Sequence, residues 1–141
     1  MQAERARLKR LQRLERVRAI AKQALVAESA RAEGTLAQLE ALAERTRVMS
    51  AEYAARSRFA DGHELRQLGN FVSGLQAITR TTAADALQAK ALADRKQQEL
   101  AQAERSRAAV EERALAQEKA LAARAAPQVL GARRAIGTDL E

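Results

Sequence analysis

The sequence predicts an all-α protein, a long antiparallel two-helix coiled-coil hairpin. Three observations carry that reading. The 141 residues hold a single proline, Pro127, and Ala makes up about a quarter of them, with Leu, Arg, Glu and Gln supplying most of the rest. Apolar residues recur at helical spacing through both halves. Between the halves stands one strong turn signal, Asp61-Gly62.

The first helix is expected over about residues 3–59. It contains one glycine, Gly34, and an apolar set of Leu8, Leu11, Leu14, Val17, Ala21, Leu25, Ala32, Leu36, Leu39, Leu42, Met49 and Tyr53. Leu14, Leu25 and Leu36 are spaced by 11 residues, which favours an 11-residue repeat over a strict heptad. Glu44 with Arg47 and Glu52 with Arg56 are placed to pair on the solvated side. The turn falls at about 57–63. There Asp61 and Glu64 have the form of a capping box: the Asp carboxylate can accept from an exposed N–H of a new first turn while Glu64 reaches back.

The second helix therefore starts at about residue 62. From Leu65 a heptad fits in two rows, one of Leu65, Val72, Thr79, Ala86, Ala93, Leu100, Arg107, Ala114 and Leu121, the other of Leu68, Leu75, Thr82, Ala89, Lys96, Ala103, Val110 and Gln117. Twelve of these seventeen positions are apolar, a sustained coiled-coil seam running to about Ala125. Pro127 should end the helix, leaving 127–141 as a flexible C-terminal tail. At 1.5 Å per residue each helix would be roughly 85 to 95 Å long. A short turn between helices with matching stripes specifies an antiparallel hairpin, with the N-terminus at the open end and Asp61 at the tip. The alternative, one unbroken helix that dimerises, is disfavoured by Gly62 and by the change of register.

Composition narrows the function classes. Two Phe, one Tyr and no Trp leave few large side chains for a compact core, so a conventional enzyme fold is not expected. Without cysteine, and with His63 alone, there is no thiolate nucleophile, disulfide or multi-His metal site. No Gly-rich phosphate loop, His-Glu-x-x-His or nucleophile elbow occurs, and the adjacent Glu111 and Glu112 diverge by about 100° on a helix. No catalytic residue, cofactor, metal or small-molecule substrate is therefore expected. No apolar run approaches the roughly 18 residues of a membrane span, and the start lacks the apolar core of a secretory signal. The expected location is cytoplasmic.

Net charge is +7, and residues 1–22 alone contribute +6 through Arg5, Arg7, Lys9, Arg10, Arg13, Arg16, Arg18 and Lys22 against Glu4 and Glu15. Such a basic arm reads as a solvated face, a nucleic-acid contact or a surface complementary to an acidic protein. Aromatic interleaving and base-reading motifs are missing, which disfavours nucleic acid. Its place at the open end of the hairpin favours the protein surface. Leu65 to Ile78 holds more large apolar side chains than a two-helix seam buries, with Phe71 and Ile78 one position before seam residues. Either the tip widens and Phe71 packs on Tyr53 or Phe59, or the segment offers an apolar patch to a partner.

The basic start Arg-Leu-Lys-Arg-Leu-Gln-Arg-Leu-Glu-Arg-Val-Arg at 7–18, Ala-Gln-Leu-Glu-Ala-Leu at 37–42, Glu52-Tyr53, the short turn, and Leu-x-x-Phe-x-x-x-Leu-x-x-Ile at 68–78 together resemble the FliJ family of flagellar export proteins. The resemblance covers roughly residues 5–120. It implies an antiparallel two-helix coiled coil similar to the stalk of the F-type ATP synthase gamma subunit, and a stalk or coupling role without enzymatic activity. Family members insert into a hexameric export ATPase, promote its ring assembly and contact the membrane-embedded export gate; some also bind emptied export chaperones. The implied location is peripheral, at the cytoplasmic face of the inner membrane in the flagellar basal body. By this resemblance Phe71 and Leu75 match an exposed Phe and Leu, one turn apart, and with Ile78 and Tyr53 are the gate-facing residues. Arg5, Arg7, Arg10 and Arg13 are the charges expected to face the ATPase. The rival readings are a generic dimeric coiled-coil scaffold and a nucleic-acid binder using the basic arm.

Overall fold

A computed structural model describes the backbone of residues 1–56 and 58–137, with side chains as far as Ala126. It contains two helices, α1 (Gln2–Ala54) and α2 (Gly62–Gly137), and no strand among the described residues. The chain divides into two compact units, Met1–Ala24 with Leu100–Glu141, and Leu25–Glu99.

In the unit Leu25–Glu99 the two helices run antiparallel on either side of the turn. Glu28 meets Lys96 near one end and Thr46 meets Thr79 further along, so position rises on one helix as it falls on the other. The seam is built from Leu25, Ser29, Ala32, Leu36, Leu39, Ala43, Thr46, Ser50 and Tyr53 against α2 positions from Leu68 to Lys96. Its polar members are satisfied locally. The Thr46 hydroxyl donates to the Leu42 carbonyl at 3.0 Å and lies 3.0 Å from the Thr79 hydroxyl, while Thr82 donates to the Ile78 carbonyl at 2.8 Å.

The unit Met1–Ala24 with Leu100–Glu141 is likewise an antiparallel pair, tied by Glu4 to Arg124, Glu15 to Arg107 and Lys22 to Glu104. Val110 and Ala114 are its buried residues, flanked by half-buried Leu8 and Leu11.

The heptad expected for α2 holds: every position of both rows from Leu68 to Leu121 is buried or half-buried. Leu65 is the exception and is exposed, because α1 stops at Ala54 and no helix continues opposite it among the described residues. For α1 the 11-residue reading is not followed. Leu8, Glu15, Lys22, Ser29, Leu36, Ala43 and Ser50 form one buried or half-buried row at intervals of seven, while Leu14, Val17, Leu42 and Met49 are exposed. Two helices packed along one seam must share a period, and the strict heptad of α2 imposes its own on α1.

The ends also differ from expectation. α1 finishes five residues before Phe59, and α2 continues past Pro127 to Gly137. An interior proline costs about 3 kcal/mol, but strong helix formers surround this one, Ala122 to Ala126 before it and Leu130 and Ala132 after it. Of the expected tail, residues 138–141 lie outside the described residues.

Gly69 and Gly74 sit inside α2, and a Cβ at either would meet no other atom within 4 Å. Each Gly→Ala change should therefore stabilise the protein by about 1 kcal/mol through helix propensity alone. Urea unfolding followed by circular dichroism checks this, with a higher midpoint expected for G69A, for G74A, and additively for both.

Candidate partner-binding surfaces

The turn that joins the helices, residues 55–61, is closed by its cap. Asp61 Oδ1 accepts from the Glu64 N–H at 2.8 Å, and Glu64 Oε2 accepts from the Ala60 N–H at 2.7 Å. The capping box thus forms as expected, with Glu64 reaching one residue further back, to Ala60. Gly62 is the first residue of α2 and has a negative φ, so the chain reverses before it rather than at it. His63 is exposed in that first turn.

Just before the turn, Tyr53 and Phe71 meet edge to face, with ring centroids 4.9 Å apart and planes at 75°. The Arg56 guanidinium lies over the Tyr53 ring, 4.2 Å from its centroid. The expected Glu52–Arg56 pair does not form, because Arg56 falls beyond the end of α1 and is no longer one helical turn from Glu52. Glu44 and Arg47, inside the helix, do pair, at 2.7 Å.

Both readings of the Leu65–Ile78 segment meet here. Phe71 packs on Tyr53, yet it remains 46% exposed, and Ile78 is 51% exposed. Leu75 is different: it lies in the seam at 8% exposure, so its side chain has almost no surface to offer a partner. The expectation of an exposed Phe71–Leu75 pair is corrected to an exposed Phe71–Ile78 pair, because position 75 belongs to the heptad row and positions 71 and 78 stand one residue outside it. Phe59, expected only as a packing partner for Phe71, is itself part of this surface. With Tyr53, Leu65, Leu68 and Val72 it lines a groove of about 290 Å³. A neighbouring groove of about 240 Å³ shares Arg56, Phe59 and Leu68 and adds Arg58, Phe71 and Glu64, whose carboxylate is held by the Ala60 N–H. The result is an apolar surface rimmed by guanidinium groups, suited to an apolar segment carrying acidic flanks.

The second surface belongs to the unit containing the N-terminus. Its fifteen Lys and Arg against eight Asp and Glu account for the whole net charge, since Leu25–Glu99 holds ten of each. Lys22 and the α2 residue Arg107 are drawn into the seam, where Glu104 accepts from both, with Lys22 Nζ at 2.8 Å and an Arg107 nitrogen at 2.8 Å. Arg107 also meets Glu111 at 2.8 Å and Glu15 at 3.3 Å. The guanidinium of Arg107, and then the ammonium of Lys22, holds the Glu104 carboxyl at about 2; Glu104 and Glu111 in turn push Arg107 upward. By contrast Arg5, Arg7, Arg10 and Arg13 are exposed, and none forms an ion pair among the described residues. They remain available to a partner. No cluster of three or more metal-ligating side chains occurs among the described residues.

Two outcomes follow. Leu75→Ala should destabilise the protein by about 2 kcal/mol or more, whereas Ile78→Ala should leave the thermal midpoint nearly unchanged. For Glu104, a folded-state pKa depressed from 4.5 to about 2 means that its stabilising contribution is present above 4.5 and is lost as pH falls toward about 2. Thermal midpoints measured across that window should fall, and Glu104→Gln should flatten part of the fall. Because Glu104 is partly exposed, added salt should shrink the effect.

Comparison with known proteins found no matching family model, no matching curated protein and no matching solved structure.

Proposed function

We propose that this chain is a nonenzymatic coupling component of a flagellar-type protein export apparatus, working as a stalk of the FliJ kind. The observation that carries the reading is the division of surface chemistry between the two units. One holds the entire net charge of +7, with Arg5, Arg7, Arg10 and Arg13 exposed. The other is charge-balanced and presents Phe71, Ile78 and Phe59 beside the turn. A protein that joins a soluble ring to a membrane gate needs two such dissimilar surfaces. The antiparallel pairing within each unit supports the likeness to the gamma-subunit stalk.

In this reading the four arginines meet acidic groups on a hexameric export ATPase and favour its ring assembly. Charge on this unit raises the encounter rate and orients the approach. The export gate, and emptied export chaperones where they bind, take the surface around Phe71, Ile78 and Tyr53. Leu75 serves that surface indirectly, by fixing the helix on which Phe71 and Ile78 stand. The protein then sits at the cytoplasmic face of the inner membrane through its partners.

The test is ATP hydrolysis by a purified export ATPase with and without this chain, followed by imaging of ring formation. Stimulation with more hexamers is expected, reduced severalfold by R5E/R7E/R10E/R13E. No change in either quantity would overturn the stalk reading. Binding to the export gate should weaken in F71A/I78A while helical circular dichroism is retained.

A further inference from the structure

The outer face of α1 near its start carries, beside the arginines that the stalk reading uses, a band of aliphatic side chains that it does not. Relative to the middle of the seam rows, Leu14 stands about 70° away, Val17 about 130° and Ile20 about 170°, counting 100° per residue. Val17 is 61% exposed and Ile20 71%, among the most exposed aliphatic side chains described. Sequence periodicity placed Leu14 and Val17 in the apolar stripe, and the packing turns both outward.

One heptad earlier, the same three helical positions are filled by Arg7, Arg10 and Arg13, all exposed. The outer face therefore reads as a band of three guanidinium groups followed, about 10 Å along the axis, by a band of three aliphatic side chains. Arg16 and Arg18 border the aliphatic band. No residue described in this unit covers it: the α2 residues that meet α1 here, Glu104 and Arg107, reach its seam side.

We infer that this face of α1 is an interfacial helix surface for anionic lipid. Leu14, Val17 and Ile20 enter the boundary between headgroups and acyl chains. Arg7, Arg10, Arg13 and Arg16 keep their charged ends among the phosphates while their stems lie along the apolar surface. Charge complementarity selects this occupant. A helix of low overall hydrophobicity and strong positive charge needs both signals, a few inserted apolar groups and a polybasic neighbourhood, to hold to a membrane reversibly. No described helix is long and apolar enough to cross one. A second copy of the chain would bring like charge against like charge at this face, and an acidic protein would leave Ile20 and Val17 without a matching pocket. The inference shares Arg7, Arg10 and Arg13 with the export reading and differs from it in Leu14, Val17 and Ile20, and its test contains neither ATPase nor gate.

The experiment is co-sedimentation of the full chain with vesicles of phosphatidylcholine alone and with about one third phosphatidylglycerol. Binding is expected only to the anionic vesicles, and to fade as salt is raised. V17Q/I20Q should weaken it about tenfold with helical circular dichroism retained, and R7Q/R10Q/R13Q should abolish it. Since the chain has no tryptophan, the indole of I20W gives a second, structure-preserving readout. Its emission should shift to the blue on anionic vesicles. Failure to bind anionic vesicles, or binding that V17Q/I20Q leaves intact while the I20W emission stays unshifted, would overturn the inference. So would preferential capture by soluble polyglutamate, which would assign the face to an acidic protein.

Discussion

Two helices whose seam carries Ala, Ser or Thr at about half of its positions in the unit Leu25–Glu99 have little apolar bulk there with which to choose a register. No described side chain is fully buried, and the buried apolar residues are Ala32, Leu75, Ala93, Val110 and Ala114. Sliding such a seam by one heptad exchanges one small residue for another at small cost. The charged positions remove that freedom. Glu15 in the α1 row faces Arg107 in an α2 row whose neighbours seven residues away are Leu100 and Ala114. Either shift would leave Glu15 against an aliphatic side chain with its charge half desolvated and unpaired. Lys96 fixes the other unit in the same way through Glu28 of the facing helix, at 3.0 Å, while Glu99 of its own helix stands at 3.3 Å. Polar residues at seam positions that specify register at some expense of stability are a known device of coiled coils, and here partly exposed pairs of this kind occur in each unit separately.

The same economy governs the surfaces. A seam this narrow cannot absorb many large side chains, so the few aromatics collect where the helices end and a turn leaves room beside them. Tyr53 and Phe71 close the last layer, and Phe59 and Leu65 lie beyond it, where α1 has stopped. Long-range attraction acts on the unit carrying the +7 charge and short-range apolar contact on the unit carrying the turn, so each can engage a different kind of partner.

How far the sequence discloses this arrangement depends on which residues fill the seam. In α2 most seam positions are apolar, and the heptad is legible down to individual residues. In α1 Glu15, Lys22, Ser29, Thr46 and Ser50 occupy seam positions while Leu14, Val17 and Ile20 lie outside. Hydrophobic periodicity then finds Leu8, Leu11, Leu25, Ala32, Leu36, Leu39 and Tyr53 but not the polar members of the seam, because the facing partners of Glu15, Lys22 and Thr46 are some 30 to 90 positions away in sequence. The cap at Asp61 is local and was readable. The end of α1 is not: no glycine or proline stands between Tyr53 and Phe59, and the helix stops where its partner's aromatic layer stops. Phe71 could be assigned to the edge of the seam from spacing alone, whereas the exposure of Leu75 was taken from resemblance and fails against the same spacing.

The basic arm imposes a last constraint, this one on the helix itself. Arg7, Arg10 and Arg13 are three residues apart on one face, and Arg5, Lys9 and Arg16 lie close by. Like charges at such spacing oppose helix formation by about 0.2 to 0.5 kcal/mol per pair. The positive end of the helix dipole adds to the repulsion, and Glu4 is the one acidic group in the first turn to answer it. Lys22 is neutralised within the seam, but the arginines before it are not. An anionic surface, whether on a protein ring or a lipid bilayer, removes this repulsion when it binds. By linkage the first turns of α1 are then more helical in the bound state than in the free one. The charge that would recognise a partner is therefore also the charge that leaves this end of the helix waiting for one.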